Sequence, residues 1–243
     1  MKLFLLALLF CSLQLTTHAQ KIVDILFVSN GKIVEDKEEA TGLILLKELP
    51  DSIFERKDYT MNGPLQTCRT YKDVELTLLD GPYATYHKNG FIALAGQYSL
   101  GKRYGKWYYY NTNGKATHYN EYENDSLIFS KTLDTSTKET LALMPGEKEA
   151  EYKGGLNSLA KFLIKNLNKD IALKSTNGGK VNVAFMINIS GKVSNIYLQK
   201  SVEAILDEEA LRVIYKMPDW VPAEQDGKKV NAYRIQPISF VLE

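Results

Sequence analysis

Few side chains in this sequence have the type and spacing that chemistry requires. Past residue 19 it has two histidines, His87 and His118, and one cysteine, Cys68. Neither histidine has a cysteine or acidic partner at ligand spacing, so no metal site can be read from them. Cys68 has no basic neighbour placed to stabilise a thiolate, and it reads as a small buried residue rather than a nucleophile. Every glycine cluster reads as a turn, not as a phosphate-cradling loop. Glu208 and Glu209 are adjacent acids, but neighbours in a first helical turn point apart. They read as charges at a helix start that Asp207 would cap. The sequence therefore predicts no enzyme, no catalytic residue, no metal, no cofactor and no small-molecule substrate.

Backbone groups at a sheet edge can also bind, and the last strand is a candidate edge. Lys229, Val230 and Asn231 lead into Ala232, Tyr233, Arg234, Ile235 and Gln236, with Ile238 and Phe240 beyond Pro237. The apolar phase slips between Ile235 and Ile238, and a proline cannot donate to a ladder, so this strand belongs at a sheet edge or carries a bulge. Covered, such an edge is only structure; open, it is a template onto which a partner's extended segment can add as a further strand. Proline at Ala232 or Ile235 is expected to block such an addition.

The elements that position this strand begin with an export leader. Met1-Lys2 is followed by an apolar run from Leu3 to Leu13 and then by Thr17-His18-Ala19. That is the charge, apolar core and small-x-small pattern of a secretory signal, with cleavage expected between Ala19 and Gln20. Two alternatives stay open: lipid attachment at Cys11, which the bulky Phe10 opposes, and retention of residues 3–17 as an uncleaved anchor, the one case in which a membrane is a partner. Removing the leader takes one lysine and no acid, which leaves 29 residues of each sign. That balance provides no electrostatic attraction to nucleic acid. With Cys68 alone remaining, stability has to come from core burial and not from a disulfide.

Residues 20–129 carry a repeat. Tyr-x-x-Asn-Gly followed by a distant Tyr occurs as Tyr59, Asn62-Gly63, Tyr71; as Tyr86, Asn89-Gly90, Tyr98; and as Tyr110, Asn113-Gly114, Tyr122. Phe27-x-x-Asn30-Gly31 is a half-copy. Asn-Gly between aromatic-rich segments predicts a hairpin with both turn residues at positive φ. Trp107 and Tyr109 should share one strand face, Tyr108 and Tyr110 the other. Gly96 should thin its strand where another backbone approaches. One hairpin cannot bury its own aromatic face, so the copies are expected to stack in series into an elongated sheet. These motifs resemble the MORN-type repeats of the YwqK-like family, through Gly105, Trp107, Tyr110, Asn113, Gly114 and Tyr122 and through Gly81, Tyr83, Tyr86, Asn89, Gly90, Gly96, Tyr98 and Gly101. The resemblance implies an all-β scaffold or interaction surface.

Residues 130–150, rich in Ser, Thr, Lys and Glu, read as a linker. From residue 151 the pattern changes. Leu156, Leu159, Ala160, Leu163 and Leu167 recur at helical spacing, and Val181, Val183, Phe185, Ile187 and Ile189 alternate as a strand with one buried face. A turn at Ser190-Gly191 leads to a second strand. A helix then presents Leu206, Ala210, Ile214 and Met217, and Pro218 stops it. "GGKVNVAFMINISGKVSNIYLQKS", "LDEEALRVIYKMPDWVPA" and "GKKVNAYRIQPISFVL" resemble the C-terminal domain of the TonB energy-transducer family. The resemblance rests on Gly191, Ser201, Asp207, Ala210, Met217-Pro218-x-Trp220-x-Pro222, Gly227 and Pro237-Ile238-x-Phe240. It implies an α+β unit, two helices on a three-stranded antiparallel sheet, whose last strand accepts a segment of an outer-membrane receptor or transporter. The aromatic-Pro pair common in that family after the first helix is missing from "LNKDIAL". The expectation is thus an exported periplasmic protein that binds an envelope partner by strand addition. A membrane-anchored energy transducer, and a structural or antitoxin-like repeat scaffold, are the alternatives.

Overall fold

The computed structural model describes residues 21–133 and 147–241. The leader, with Ala19 and Gln20, and most of the linker fall outside them. The repeats form one antiparallel sheet. Strands β1 (Lys21–Ser29), β2 (Lys32–Val34), β3 (Gly42–Leu49), β4 (Ile53–Thr60) and β5 (Leu65–Tyr71) come first. They are followed by β6 (Leu79–Tyr86), β7 (Ile92–Ser99), β8 (Lys102–Tyr110), β9 (Ala116–Glu123) and β10 (Ser126–Thr132). The order β10-β9-β8-β7-β6-β5-β4-β3-β1-β2 is a ten-stranded meander, save that β1 pairs with both β2 and β3. The three full copies are the hairpins β4–β5, β6–β7 and β8–β9, and the half-copy is β1–β2.

The half-copy has the expected two-residue turn, with Asn30 (φ 49°) and Gly31 (φ 77°) both left-handed, but the turns of the three full copies are longer. In the second and third copies only Gly90 (φ 84°) and Gly114 (φ 75°) are left-handed, and in the first only Asn62 (φ 51°). The His87 N–H donates to the Phe91 carbonyl and the Gly90 N–H to the His87 carbonyl, with Asn111, Lys115 and Gly114 repeating the pattern. A longer turn needs one left-handed residue and a register shift, and that shift falls at the motif tyrosine in each copy. Trp107 is buried among Tyr83, Tyr98 and Tyr122, with ring centroids 5.5, 5.1 and 6.3 Å away. Gly96 makes room for this indole and not for a backbone: a Cβ there would sit 2.2 Å from the Trp107 ring.

The C-terminal unit is α+β. Helices α1 (Gly155–Asn166), α2 (Lys169–Lys174) and α3 (Ala204–Tyr215) accompany strands β11 (Gly179–Ile187), β12 (Val193–Lys200) and β15 (Ala232–Phe240), while β13 (Ala223–Gln225) and β14 (Lys228–Val230) form a small separate hairpin. The three-stranded antiparallel sheet has the order β12-β11-β15. Val181, Val183, Phe185 and Ile187 are fully buried with Leu206, Ala210 and Ile214 of α3, as their spacing requires. Ile189 lies past the strand end and is exposed. Leu156 was expected on the buried face of the first helix but is 82% exposed, because it sits in the opening turn of α1, beyond the sheet.

Two corrections concern α3. Glu203, not Asp207, is its N-cap residue, and the helix starts at Ala204. Asp207 lies inside the first turn, completely buried, and reaches back: it accepts from the Val202 N–H at 3.0 Å and from the Ser201 hydroxyl. Glu208 and Glu209 are not free dipole partners either. Glu208 takes the ammonium groups of Lys47 and Lys57 from the repeat sheet, and Glu209 takes Arg212 and the Asn168 N–H.

The turn ends of the repeats dock on this unit. The Ser201 N–H donates to the Gly90 carbonyl, Gln199 Nε2 to the Gly114 carbonyl, and Asn177 Nδ2 to the Asn62 carbonyl. Ser201 Oγ also accepts from the Leu65 N–H at 2.7 Å, and the Tyr86 hydroxyl donates to the Leu198 carbonyl. Phe91 bridges Lys200 at the end of β12. Tyr59 and Leu65 share one buried cluster with Phe185, Leu198 and Leu206, so the core runs across the junction. Repetition of Asn-Gly thus serves two ends, since it closes each hairpin and presents turn carbonyls to the C-terminal unit, those of Gly90 and Gly114 to the end of β12 and that of Asn62 to the segment before β11.

Candidate partner-binding edge

Docking of the repeats engages the end of β12 and leaves β15 as the other edge of the three-stranded sheet. Residues 232–240 pair with β11 in continuous register, from Ala232 opposite Ile187 to Phe240 opposite Gly179. Pro237 lies opposite Asn182 with no bulge. A proline within an unbroken ladder has to occupy a position whose nitrogen faces outward. The Pro237 carbonyl points the same way in an antiparallel strand, and it accepts from the exposed Gln236 side-chain amide at 2.9 Å. By parity the N–H groups of Tyr233, Ile235 and Ser239 face outward, while those of Ala232, Arg234, Gln236 and Ile238 serve the β11 ladder. The sequence suggested proline at Ala232 or Ile235 as equivalent blocks. The structure separates them, because Ala232 faces the ladder and Ile235 the open side.

The ten candidate residues divide accordingly. Ala232, Tyr233, Arg234, Ile235, Gln236, Ile238 and Phe240 lie on β15; Lys229 and Val230 lie on β14, opposite Glu224 and Ala223, and Asn231 joins the two strands. Alternation puts Ala232, Arg234, Gln236, Ile238 and Phe240 on the face shared with Phe185 and Val183. Tyr233 and Ile235 are on the opposite face, 67% and 54% exposed.

Beside this edge runs a groove of about 710 Å³ whose lining sequence reasoning missed. Its floor is aromatic: Trp220 meets Tyr152 edge-on at 5.4 Å and Phe185 at 5.8 Å. Its far wall is the extended segment 147–152, held by paired backbone bonds between Lys148 and Glu224 and between Glu151 and Val221, each 2.8–2.9 Å. Leu156 overhangs it from α1. Arg234 ties β15 to this wall, its guanidinium donating to Glu149 at 2.7 Å and to the Ala150 carbonyl. Of this lining the sequence marks for binding only Arg234, Ile235 and Gln236; residues 147–150 read there as the end of a linker and Leu156 as part of a buried helical stripe. Gly191 has a structural part beside the floor: at φ 86°, a Cβ there would stand 2.2 Å from the Trp220 carbonyl, which is adjacent to the groove.

The residues first considered for chemistry have structural roles. His87 Nε2 meets the Tyr110 carbonyl at 3.0 Å, and His118 stacks on Tyr109 at 4.2 Å. Burial, then Glu55, pushes the Cys68 thiol up, and Sγ donates to Glu55. Burial pulls the Lys57 ammonium down, but Glu55 and Glu208 outweigh it and hold it well above its ordinary value. Among the described residues no group of three or more His, Cys, Asp or Glu is placed to hold a metal ion. No helix of the described residues is long and apolar enough to cross a membrane.

Residues 170–242, which run from α2 through β15, match the family model described as Gram-negative bacterial TonB protein C-terminal. No curated protein and no solved structure matches the chain.

Proposed function

We propose that this chain is a non-enzymatic, exported periplasmic protein that binds an envelope partner by adding the partner's extended segment to the outer edge of β15. The observation that carries this reading is the unbroken β15 ladder, with Pro237 turned outward and the Tyr233 and Ile235 donors beside a groove with an aromatic floor. The similarity of residues 170–242 to the TonB C-terminal family supports it, since that family's role implies an outer-membrane receptor or transporter segment as the partner. The repeat sheet, in its resemblance to MORN-type repeats, acts as a platform that holds the C-terminal unit by its β12 side.

The same match favours a second reading, a membrane-anchored energy transducer held by residues 3–17. Intact mass and compartment decide between the two in a Gram-negative host. A chain starting at Gln20 in the soluble periplasmic fraction supports the exported binder, and a full-length chain in the inner membrane supports the transducer. Strand addition itself is tested with Ile235→Pro, which removes an outward donor and no bond to β11. A photo-crosslinker at Tyr233 should capture the partner in the parent and lose it in this variant, whose melting should match the parent's. Undiminished capture by a folded Ile235→Pro protein would refute addition at this edge.

A further inference from the structure

We propose that Asn30-Gly31 is a site of self-modification in the folded protein, where the asparagine deamidates to aspartate and isoaspartate, while the chain's other four Asn-Gly pairs are protected. The proposal is independent of strand addition and concerns the turn motif itself.

Asn-Gly occurs at 30–31, 62–63, 89–90, 113–114 and 177–178. In such a pair the glycine nitrogen can attack the asparagine side-chain amide, because no Cβ on the glycine hinders the approach. A bond forms between the Gly31 nitrogen and Asn30 Cγ, and the side-chain amide nitrogen leaves as ammonia. The proton given up by the glycine nitrogen reaches that ammonia through solvent. Water then opens the five-membered imide. Cleavage of the new bond leaves aspartate in an ordinary chain, and cleavage of the original peptide bond leaves the chain running through Cγ, as isoaspartate. Water is the sole co-reactant.

The step needs a glycine nitrogen free of its acceptor and a turn with room to rotate. Four pairs lack the free nitrogen. The Gly63 N–H donates to the Thr60 carbonyl at 3.1 Å, that of Gly90 to the His87 carbonyl at 2.9 Å and that of Gly114 to the Asn111 carbonyl at 2.9 Å. The Gly178 N–H donates to the Ser175 hydroxyl at 2.9 Å. The C-terminal unit also pins the turns of the three full copies, through the Asn62, Gly90 and Gly114 carbonyls. The Asn89 side-chain amide is itself engaged, donating to the Thr112 carbonyl at 2.7 Å.

Asn30-Gly31 differs in each respect. Its two-residue turn is closed by the Ser29–Lys32 pair, which leaves the Gly31 N–H outside the ladder. Neither that N–H nor the Asn30 side chain has a hydrogen-bond partner among the described residues. Both residues are exposed, and a Cβ on Gly31 would meet nothing within 4 Å, whereas one on Gly90 would stand 2.1 Å from the Ser201 carbonyl. The product would loosen the hairpin. β2 is the outermost strand of the sheet and is held by three pairs, Phe27–Val34, Val28–Ile33 and Ser29–Lys32. Isoaspartate inserts one more main-chain carbon into a turn whose two residues fit the closing pair only as they stand, so β2 should come away from β1.

The test incubates the purified full chain in warm, mildly alkaline buffer, native and in urea, and follows each Asn-Gly peptide by mass spectrometry. In the native protein Asn30 should convert about tenfold or more faster than Asn62, Asn89, Asn113 and Asn177, because each of those turns must first open. In urea the five rates should converge, with the four protected sites speeding up and Asn30 changing little. Hydrogen exchange at residues 32–34 should quicken in the aged parent and stay slow in an equally aged Asn30→Gln protein, whose longer side chain cannot close the five-membered ring. Comparable native rates at all five sites, or an Asn30 rate suppressed by folding as much as the other four, would overturn the assignment. Unchanged exchange at residues 32–34 in protein that carries isoaspartate would overturn the loosening of β2.

Discussion

Asp207 gives a sharp test of how the two halves are joined. Its carboxyl is fully buried at the foot of α3, where burial raises its pKa from 3.8 to about 7 although Ser201, the Val202 N–H and Lys57 all favour its charged form. In the unfolded chain the same group titrates near its ordinary value of about 3.9. Between those two values the native state holds a proton that the unfolded state has lost, so stability falls as pH rises through that window and levels off above it. At about 1.4 kcal/mol per unit, the shift costs about 4 kcal/mol on full ionisation, a large part of an ordinary domain's stability. Other charged groups packed here do not mimic this slope. Glu208 is held below its usual range by Lys57 and Lys47 against its burial, so its contribution is lost only under acid conditions, and Lys57 stays charged throughout. Asp207→Asn keeps an acceptor for the Val202 N–H but offers Ser201 Oγ a donor in place of an acceptor, which costs about 1 kcal/mol. Urea unfolding from pH 5 to pH 8 should show the parent losing stability up to about pH 7 and then levelling off, while Asp207→Asn stays nearly flat and becomes the more stable protein at pH 8. A parent that gains stability over that range, or a variant with the parent's slope, would refute the assignment.

Two further perturbations probe the same junction. Glu208→Ala removes the common partner of Lys47 and Lys57, both about 5% exposed, and should destabilise by about 3–5 kcal/mol in urea unfolding, with little recovery in Glu208→Gln. Gly90→Ala would place a Cβ 2.1 Å from the Ser201 carbonyl at a backbone φ of 84°. It should cost more than about 2 kcal/mol, and it should speed hydrogen exchange at the Ser201 amide, which that turn protects.

Much of the architecture was legible because local pattern and burial agreed. Strict alternation at Val181, Val183, Phe185 and Ile187 has one solution in a half-buried strand, and Leu206, Ala210 and Ile214 have one solution in a helix. The Tyr-x-x-Asn-Gly copies likewise defined hairpins that had to stack. Errors arose where a local rule had to compete with a distant partner. Asp207, an acid at a helix start, was assigned the cap, yet Ser201 and the repeat sheet bury it. Gly96 was assigned to backbone approach, but the space is taken by an indole from the next strand. Leu156 fits the helical stripe in spacing, while its position in the opening turn leaves it beyond the sheet.

The candidate site divides in the same way. Pro237 marked residues 229–240 as either an edge strand or a bulged one, because a missing N–H is a property of the residue and constrains any ladder it joins. The groove beside that edge has no such local mark. Its wall comes from residues 147–152, its floor from Tyr152, Phe185 and Trp220, and its tie from Arg234, brought together only by packing. What the sequence determined by itself was therefore what backbone covalency and short-range periodicity dictate: the strands, the hairpins and the proline edge. Which side of the three-stranded sheet the repeats engage, and which groups stand beside its other edge among the described residues, was decided by tertiary structure, because both depend on contacts between residues far apart in the chain.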